Sequence, residues 1–351
     1  MKKLILFLLL TSVILTGCGS KTPERLVQSE LELIKKLDEK TILNFISYED
    51  IVRSQSRDTD IGEETTKAVK LFFQNFDYEI LSSSVSGDTA RVTAKITNLD
   101  TKALSQDLCI ALIKESVHPQ DNSPLSMNSY FAIMHDVLSS HTYELKTSEA
   151  TFELTHFENG WSIQNTDELE DALVSGLITN LGDPYLITPG EVASAMLDVF
   201  SEFTADDWIS YLDMQDVFSI GSEISDQVDR SLANQIATCF HYELSQLSID
   251  GDKAIAYIDI TSLDMASVLS VYQEKLIAYA DTTSSVRASE TELANQSATF
   301  LKEALDGNTE TILRSVPVTF QNDGSGWEMT ISEDFIQVLL GDAGEALETF
   351  Q

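Results

Sequence analysis

The chain has 351 residues, a hydrophobic fraction of 43% and a formal net charge of −35. That length and apolar content predict about two packed domains and exclude a disordered acidic chain. The charge argues against nucleic acid as a partner, because phosphates would be repelled, and it fits a well-solvated, exposed protein.

At the N-terminus, Lys2 and Lys3 precede an apolar run from Leu4 to Leu15. The run is too short to cross a bilayer and has the length of a signal-peptide core. It ends in Leu15-Thr16-Gly17-Cys18, which resembles the lipobox of bacterial lipoproteins. The resemblance implies that Cys18 carries a diacylglyceryl group and that a peptidase cuts just before it. Residues 1–17 are then the signal peptide and 18–21 a lipidated tether. The implied partner is a membrane, and the implied address is the outer face of a bacterial cell membrane. An ordinary secretory signal with a chance cysteine is the rival reading.

Acidity rises away from that end. Residues 21–40 carry five charges of each sign, whereas residues 184–351 hold 6 basic and 29 acidic side chains. An anionic lipid surface would therefore repel the second half more than the first.

The mature chain opens with Thr22-Pro23-Glu24, which reads as an N-cap, a proline in the first turn and an acid facing the helix dipole. Val27, Leu31, Ile34 and Leu37 continue it as a core-facing helix. Ile42 to Ile46 extends the apolar pattern. Residues 53–64 carry Asp58, Asp60, Glu63 and Glu64, but Gly62 falls one position early for a calcium loop, so a solvated loop is expected. From Phe76 to Asp100, apolar and polar residues alternate around Gly87-Asp88, the pattern of a half-buried β-hairpin. Helical spacing follows over 100–117 and 126–138, with a Pro-containing loop between. Phe152, Leu154 and His156 alternate as a strand, Asn159-Gly160 turns the chain, and Trp161 and Ile163 return. Thr166 caps a helix expected to run through Leu177.

The hairpin then recurs. Phe240 to Asp264 repeats Phe76 to Asp100 at an offset of 164, with eleven of twenty-five positions identical. Thr188-Pro189-Gly190-Glu191 restates the opening helix at an offset of 166, and Trp327 and Met329 take the places of Trp161 and Ile163. Helices are expected over 264–280 and 289–305, and Ser332 caps a last one. Two repeats are predicted, 22–180 and 188–351, joined by a linker at 181–187.

The order in each repeat is helix, hairpin, helices, hairpin, helix. The Thr-Pro opening, the Gly87-Asp88 and Gly251-Asp252 turns and the closing Gly160-Trp161 and Gly326-Trp327 pairs occur together with the lipobox. This combination resembles bacterial surface lipoproteins whose domains have the nuclear transport factor 2-like, or cystatin-like, fold. The resemblance implies an α+β fold: two tandem repeats, each a curved antiparallel sheet of two hairpins packed on helices, with a helical insertion. It implies no activity.

The chemistry-bearing residues are sparse in pattern. None of His118, His135, His141, His156 and His241 has the spacing of a zinc helix, and no nucleophile elbow, phosphate loop or dinucleotide fingerprint is present. No catalytic residue, metal site or cofactor is expected. Cys109 and Cys239 read as buried free thiols, with a disulfide between them as the alternative. Tyr78, Trp161, Tyr242 and Trp327 recur at equivalent places and form the candidate pocket, lining a pocket mouth or simply packing in the core.

Three functions stay open: a non-enzymatic module that binds an envelope or extracellular protein, a small-molecule or peptide binder using a cone pocket, and a cone-fold enzyme with an Asp/His pair.

Overall fold

The computed structural model describes residues 22–37, 63–117, 125–215, 217–219 and 221–350. The chain divides into two compact units, Met1–Leu112 with Ser123–Leu186, and Ile113–Asn122 with Ile187–Gln351. The main division falls between Leu186 and Ile187. The apolar pattern at 42–46, the polar loop up to Gly62 and His118 lie outside the described residues.

In the first unit, Thr22 caps α1 (Pro23–Lys36), its Oγ1 accepting from the Arg25 amide. Val27, Leu31 and Ile34 face the core, as their spacing requires. Next comes α2 (Glu63–Phe72), which the sequence reading missed; it places Glu63 and Glu64 in a first turn instead of a loop. Strands β1 (Asp77–Ser86) and β2 (Thr89–Leu99) pair antiparallel across a two-residue turn. Gly87 takes φ +60 there, the left-handed conformation that a tight hairpin demands of its first central residue. Helices α3 (Thr101–Val117) and α4 (Met127–Ser140) follow. The chain then returns as β3 (Leu145–Phe157) and β4 (Gly160–Ile163), giving one four-stranded antiparallel sheet in the order β1-β2-β3-β4.

The two expected hairpins are therefore one sheet. Its longest ladder is the β2–β3 pairing, from Thr89↔Thr155 to Leu99↔Leu145, although two helices separate those strands in sequence. Ala90, Val92, Ala94 and Ile96 of β2 and Ala150, Phe152 and Leu154 of β3 line the buried face.

The second unit repeats the strand order and the helix pair between its second and third strands, with three helices described ahead of its first hairpin where the first unit has two. It runs α7 (Pro189–Glu202), α8 (Ala205–Tyr211), α9 (Ser225–Cys239), β5 (His241–Asp250), β6 (Lys253–Leu263), α10 (Met265–Ala280), α11 (Glu290–Asp306), β7 (Thr311–Asn322) and β8 (Trp327–Thr330). Thr188 and Glu191 form a reciprocal capping box at the start of α7. The sheet order is β5-β6-β7-β8. Even the irregularity recurs: β1 shifts register between Ile80 and Ser82, and β5 does so between Leu244 and Gln246.

Each unit closes on a pair of short helices where the sequence predicted one. In the first these are α5 (Asp167–Leu173) and α6 (Leu177–Gly182). In the second they are α12 (Glu333–Leu339) and α13 (Ala343–Phe350). The breaks have a backbone cause. Ser175 and Gly176 take φ +55 and +80, and Gly341 and Asp342 take +69 and +57. Left-handed residues end a helix by turning its last amides back onto earlier carbonyls, here Gly176 onto Asp171 and Asp342 onto Gln337.

Gly341 has a second constraint. A Cβ at this position would lie 2.4 Å from the Leu263 carbonyl oxygen at the end of β6, and the Gly341 carbonyl accepts the Met265 amide that begins α10. Gly341→Ala should therefore destabilise the protein by about 2–4 kcal/mol, through left-handed strain and the backbone clash together. Denaturant unfolding of that variant against wild type measures it.

Candidate functional site

The opening helix of each unit is tied to the first strand of its sheet by one tyrosine. Tyr78 on β1 donates its hydroxyl to Glu32 Oε1 of α1 at 3.0 Å, with the Gln28 carbonyl 3.4 Å away. Tyr242 on β5 donates to Asp198 Oδ1 of α7 at 2.6 Å, with the Ser194 carbonyl at 3.4 Å. Partial burial, helped by the neighbouring carboxylate, pushes both phenols up to about 12. These tyrosines stay neutral donors over the physiological range, so their geometry describes a structural clasp.

The paired tryptophans lie elsewhere. Tyr78 is opposite Ile96, which is opposite Ser148; Trp161 is opposite His156. Ser148 and His156 are eight residues apart on β3, or about 26 Å along the strand. The second sheet repeats this separation: Tyr242 and Ile260 share a row with Arg314, while Trp327 pairs with Asn322. The sheet thus places the tyrosine and tryptophan of each unit near opposite ends, so neither unit brings its own pair together in a pocket mouth.

Aromatic rings cluster just ahead of each hairpin in the chain. Phe72, Phe73 and Phe76 stack edge to face just before β1. In the second unit, Phe200, Phe203, Trp208, Tyr211 and Phe240 pack with centroids 4.9–6.4 Å apart. Trp208 is fully buried. Its position at helical spacing in α8 is the one signal that could have marked this cluster in the sequence. Trp161 is half-buried and meets His156 edge to face at 4.9 Å.

One arrangement has the connectivity of an acid–base relay. His135 on α4 brings Nδ1 within 3.3 Å of Glu64 Oε2 on α2, and Ser139 Oγ is 3.4 Å from His135 Nε2. The chemistry does not follow. Ser139 donates its proton to the His135 backbone carbonyl at 2.7 Å, the usual bond of a helical serine to the turn before it. Glu64 also accepts from Lys67 at 2.9 Å, which holds its carboxyl below the usual range. The serine and its neighbours lie on an exposed helix surface.

Cys109 and Cys239 are free thiols, each partly buried. Burial pushes Cys109 up to about 11 and raises Cys239, so both stay protonated at neutral pH. Among the described residues no group of His, Cys, Asp or Glu could hold a metal ion, and no helix is long and apolar enough to cross a membrane.

The outer faces of the two sheets differ. In the first, Arg91 pairs with Glu153 at 2.6 Å and Lys95 with Glu79 at 2.8 Å, across strands. At the positions of Arg91 and Thr93 the second sheet carries Ile255 and Tyr257, 46% and 41% exposed. Pro317 lies opposite Tyr257, and Leu313 is exposed further along β7. Strand β8 pairs only with Thr319–Asn322. Pro317 therefore occupies a stretch of β7 with one free edge, where a missing amide costs no ladder bond.

No family model matches the chain, and no protein with a curated description does. A solved structure, the "putative lipoprotein (ycdA)" of Bacillus subtilis subsp. subtilis str. 168, is 12% identical to it. The match covers 76% of this chain and 94% of that one, with a TM-score of 0.28, a likeness too loose to bear on fold or function.

The clasp tyrosines have a pH consequence. A phenol held protonated in the fold stabilises it fully below the unfolded value of about 10, and that contribution is lost as the pH rises toward the folded value. The unfolding midpoint should fall between pH 10 and about 12, and Tyr78→Phe with Tyr242→Phe should flatten the fall. Thermal unfolding across that pH range, read by circular dichroism, decides the matter; an equal fall in the double variant would assign it to other tyrosines.

Proposed function

We propose that this chain is a lipid-anchored lipoprotein on the outer face of a bacterial membrane. In this reading it is built of two copies of one cystatin-like domain and works without catalysis, by binding an envelope or extracellular protein. The anchor rests on the order of Lys2-Lys3, the apolar run and Leu15-Thr16-Gly17-Cys18. Two acyl chains hold a protein stably where one gives only reversible binding. The duplication is supported by matching strand order, register and bulge in the two sheets.

The binding role is carried by the outer face of the second sheet. A duplicated domain that keeps cross-strand ion pairs in one copy and exposes Ile255, Tyr257, Leu313 and Pro317 in the other has given that face a different use. Aromatic and aliphatic groups in one exposed patch mark contact surfaces, where charged side chains are depleted and tyrosine is enriched.

Two experiments test this. Metabolic labelling with a fatty acid should mark the wild-type chain and fail to mark Cys18→Ala, with mass spectrometry of the N-terminal peptide as the direct check. Separately, Ile255→Arg with Thr319→Glu would install the first sheet's ion pair on the second. Stability should change by less than about 0.5 kcal/mol at so exposed a place. Photocrosslinking from position 246 on intact cells should give an adduct in wild type that this double variant loses. An adduct pattern the same in both would sink the assignment.

A further inference from the structure

The first unit overhangs its own opening helix at the end where the chain leaves toward Cys18. Lys35 meets Asp77 at the start of β1, and the Gln28 carbonyl lies at the Tyr78 hydroxyl. The C-terminal end of α1 therefore marks the start of β1. Helix α1 also contacts β4, the strand that leaves the β3–β4 turn. From Gln28 to Thr22 the helix advances about 9 Å. From Tyr78 to Val85 the strand advances about 22 Å. With helix and strand taken as parallel, the β1–β2 turn projects about 13 Å past Thr22.

That projecting end carries exposed apolar groups on both faces of the sheet. Val85 is 57% exposed although it lies opposite buried Ala90, and Phe157, beside the β3–β4 turn, is 58% exposed. Trp161, which follows the same β3–β4 turn, is half-buried. The His156 amide binds the Asp88 carbonyl at 2.8 Å, so the two turns move as one body. At the place of Phe157, the second unit has Asp323.

From Thr22 back to Cys18 is four residues, a reach of at most about 14 Å. That equals the overhang. We propose that the β1–β2 and β3–β4 turns of the first unit rest on the bilayer that Cys18 enters, with Phe157, Val85 and Trp161 at the boundary of head groups and acyl chains. The inference depends on the lipid anchor proposed above. Tryptophan and phenylalanine are suited to that boundary. Asp88 and Glu158 in the turns stop deeper entry, and Arg25 in the first turn of α1 faces lipid phosphates. Such a contact fixes the tilt of the first unit on the membrane instead of leaving it to swing on its tether.

The test uses the full lipidated chain purified from membranes and reconstituted in vesicles of phosphatidylglycerol and phosphatidylethanolamine. With Cys109 and Cys239 replaced by serine, an environment-sensitive fluorophore is placed at Asn159→Cys, beside the turn, or at Thr142→Cys, at the opposite end of the same sheet. Nitroxide-labelled head groups should quench the probe at 159 several-fold more than the probe at 142. Adding Phe157→Asp and Val85→Asp should bring the two to the same level while the chain stays anchored. Equal quenching at 159 and 142, with mass spectrometry showing the lipid on Cys18, overturns the contact and leaves the anchor standing. A Cys18 without lipid overturns both. In the chain with native cysteines, brominated lipids should quench tryptophan emission in wild type, and Trp161→Phe should remove most of that quenching; if the quenching persists in Trp161→Phe, the contact is refuted again.

Discussion

The architecture depends on burying one long face of β2, and of β6, under a helix shorter than the strand. An eleven-residue strand runs about 36 Å, whereas the fourteen-residue α1 and α7 run about 21 Å. Alanines at 90, 94 and 150, and at 254 and 256, keep the covered face shallow, so that a helix can settle against it. Because one helix cannot cover the whole face, further pieces join each core: α2 and α4 in the first unit, and the ring cluster from α7, α8 and Phe240 in the second. The tyrosine clasp fixes where the short cover sits along the strand. Everything uncovered, including the turns of the first unit, follows from that placement.

Charge is spread to suit the same plan. A net charge of −35 means that most acidic groups have no cation to meet. The described ion pairs concentrate on exposed surfaces, where each contributes little. Stability therefore rests on the two cores and on helix caps. The caps put carboxylates to use: Glu191, Asp207 and Glu292 each close a reciprocal box with Thr188, Thr204 and Ser289.

Much of this was legible in the residues. The hairpins declared themselves through Gly87-Asp88 and Gly251-Asp252, and the opening helices through Thr22-Pro23 and Thr188-Pro189, because turn and cap chemistry is local. Helix α2 was hidden because Thr65, Ala68, Val69 and Phe72 follow a run of acids that resembles a loop. The split of the closing helices was hidden because Ser175 and Asp342 take left-handed backbones that their identities do not demand. The joining of β2 to β3 across two helices is a tertiary fact that no short pattern encodes. The recurrence of Tyr78 and Trp161 was visible, but their separation depends on counting strand registers. The change from Arg91 and Thr93 to Ile255 and Tyr257 was also there to read, yet it had no meaning until the sheet showed that both positions face outward.

The irregularity shared by β1 and β5 bears on how such molecules live beside one another. Both are edge strands of their sheets, each paired on one side only among the described residues, and a chain held to a surface, as proposed above, would meet its own copies far more often than one in solution. A flat free edge would invite a neighbour's strand. The register shift at Leu81 and Ser245 bends that edge away from flatness, and Pro317 blunts the exposed stretch of β7 on the other side. An edge so bent resists pairing with the sheet of an adjacent molecule, however closely the copies are held.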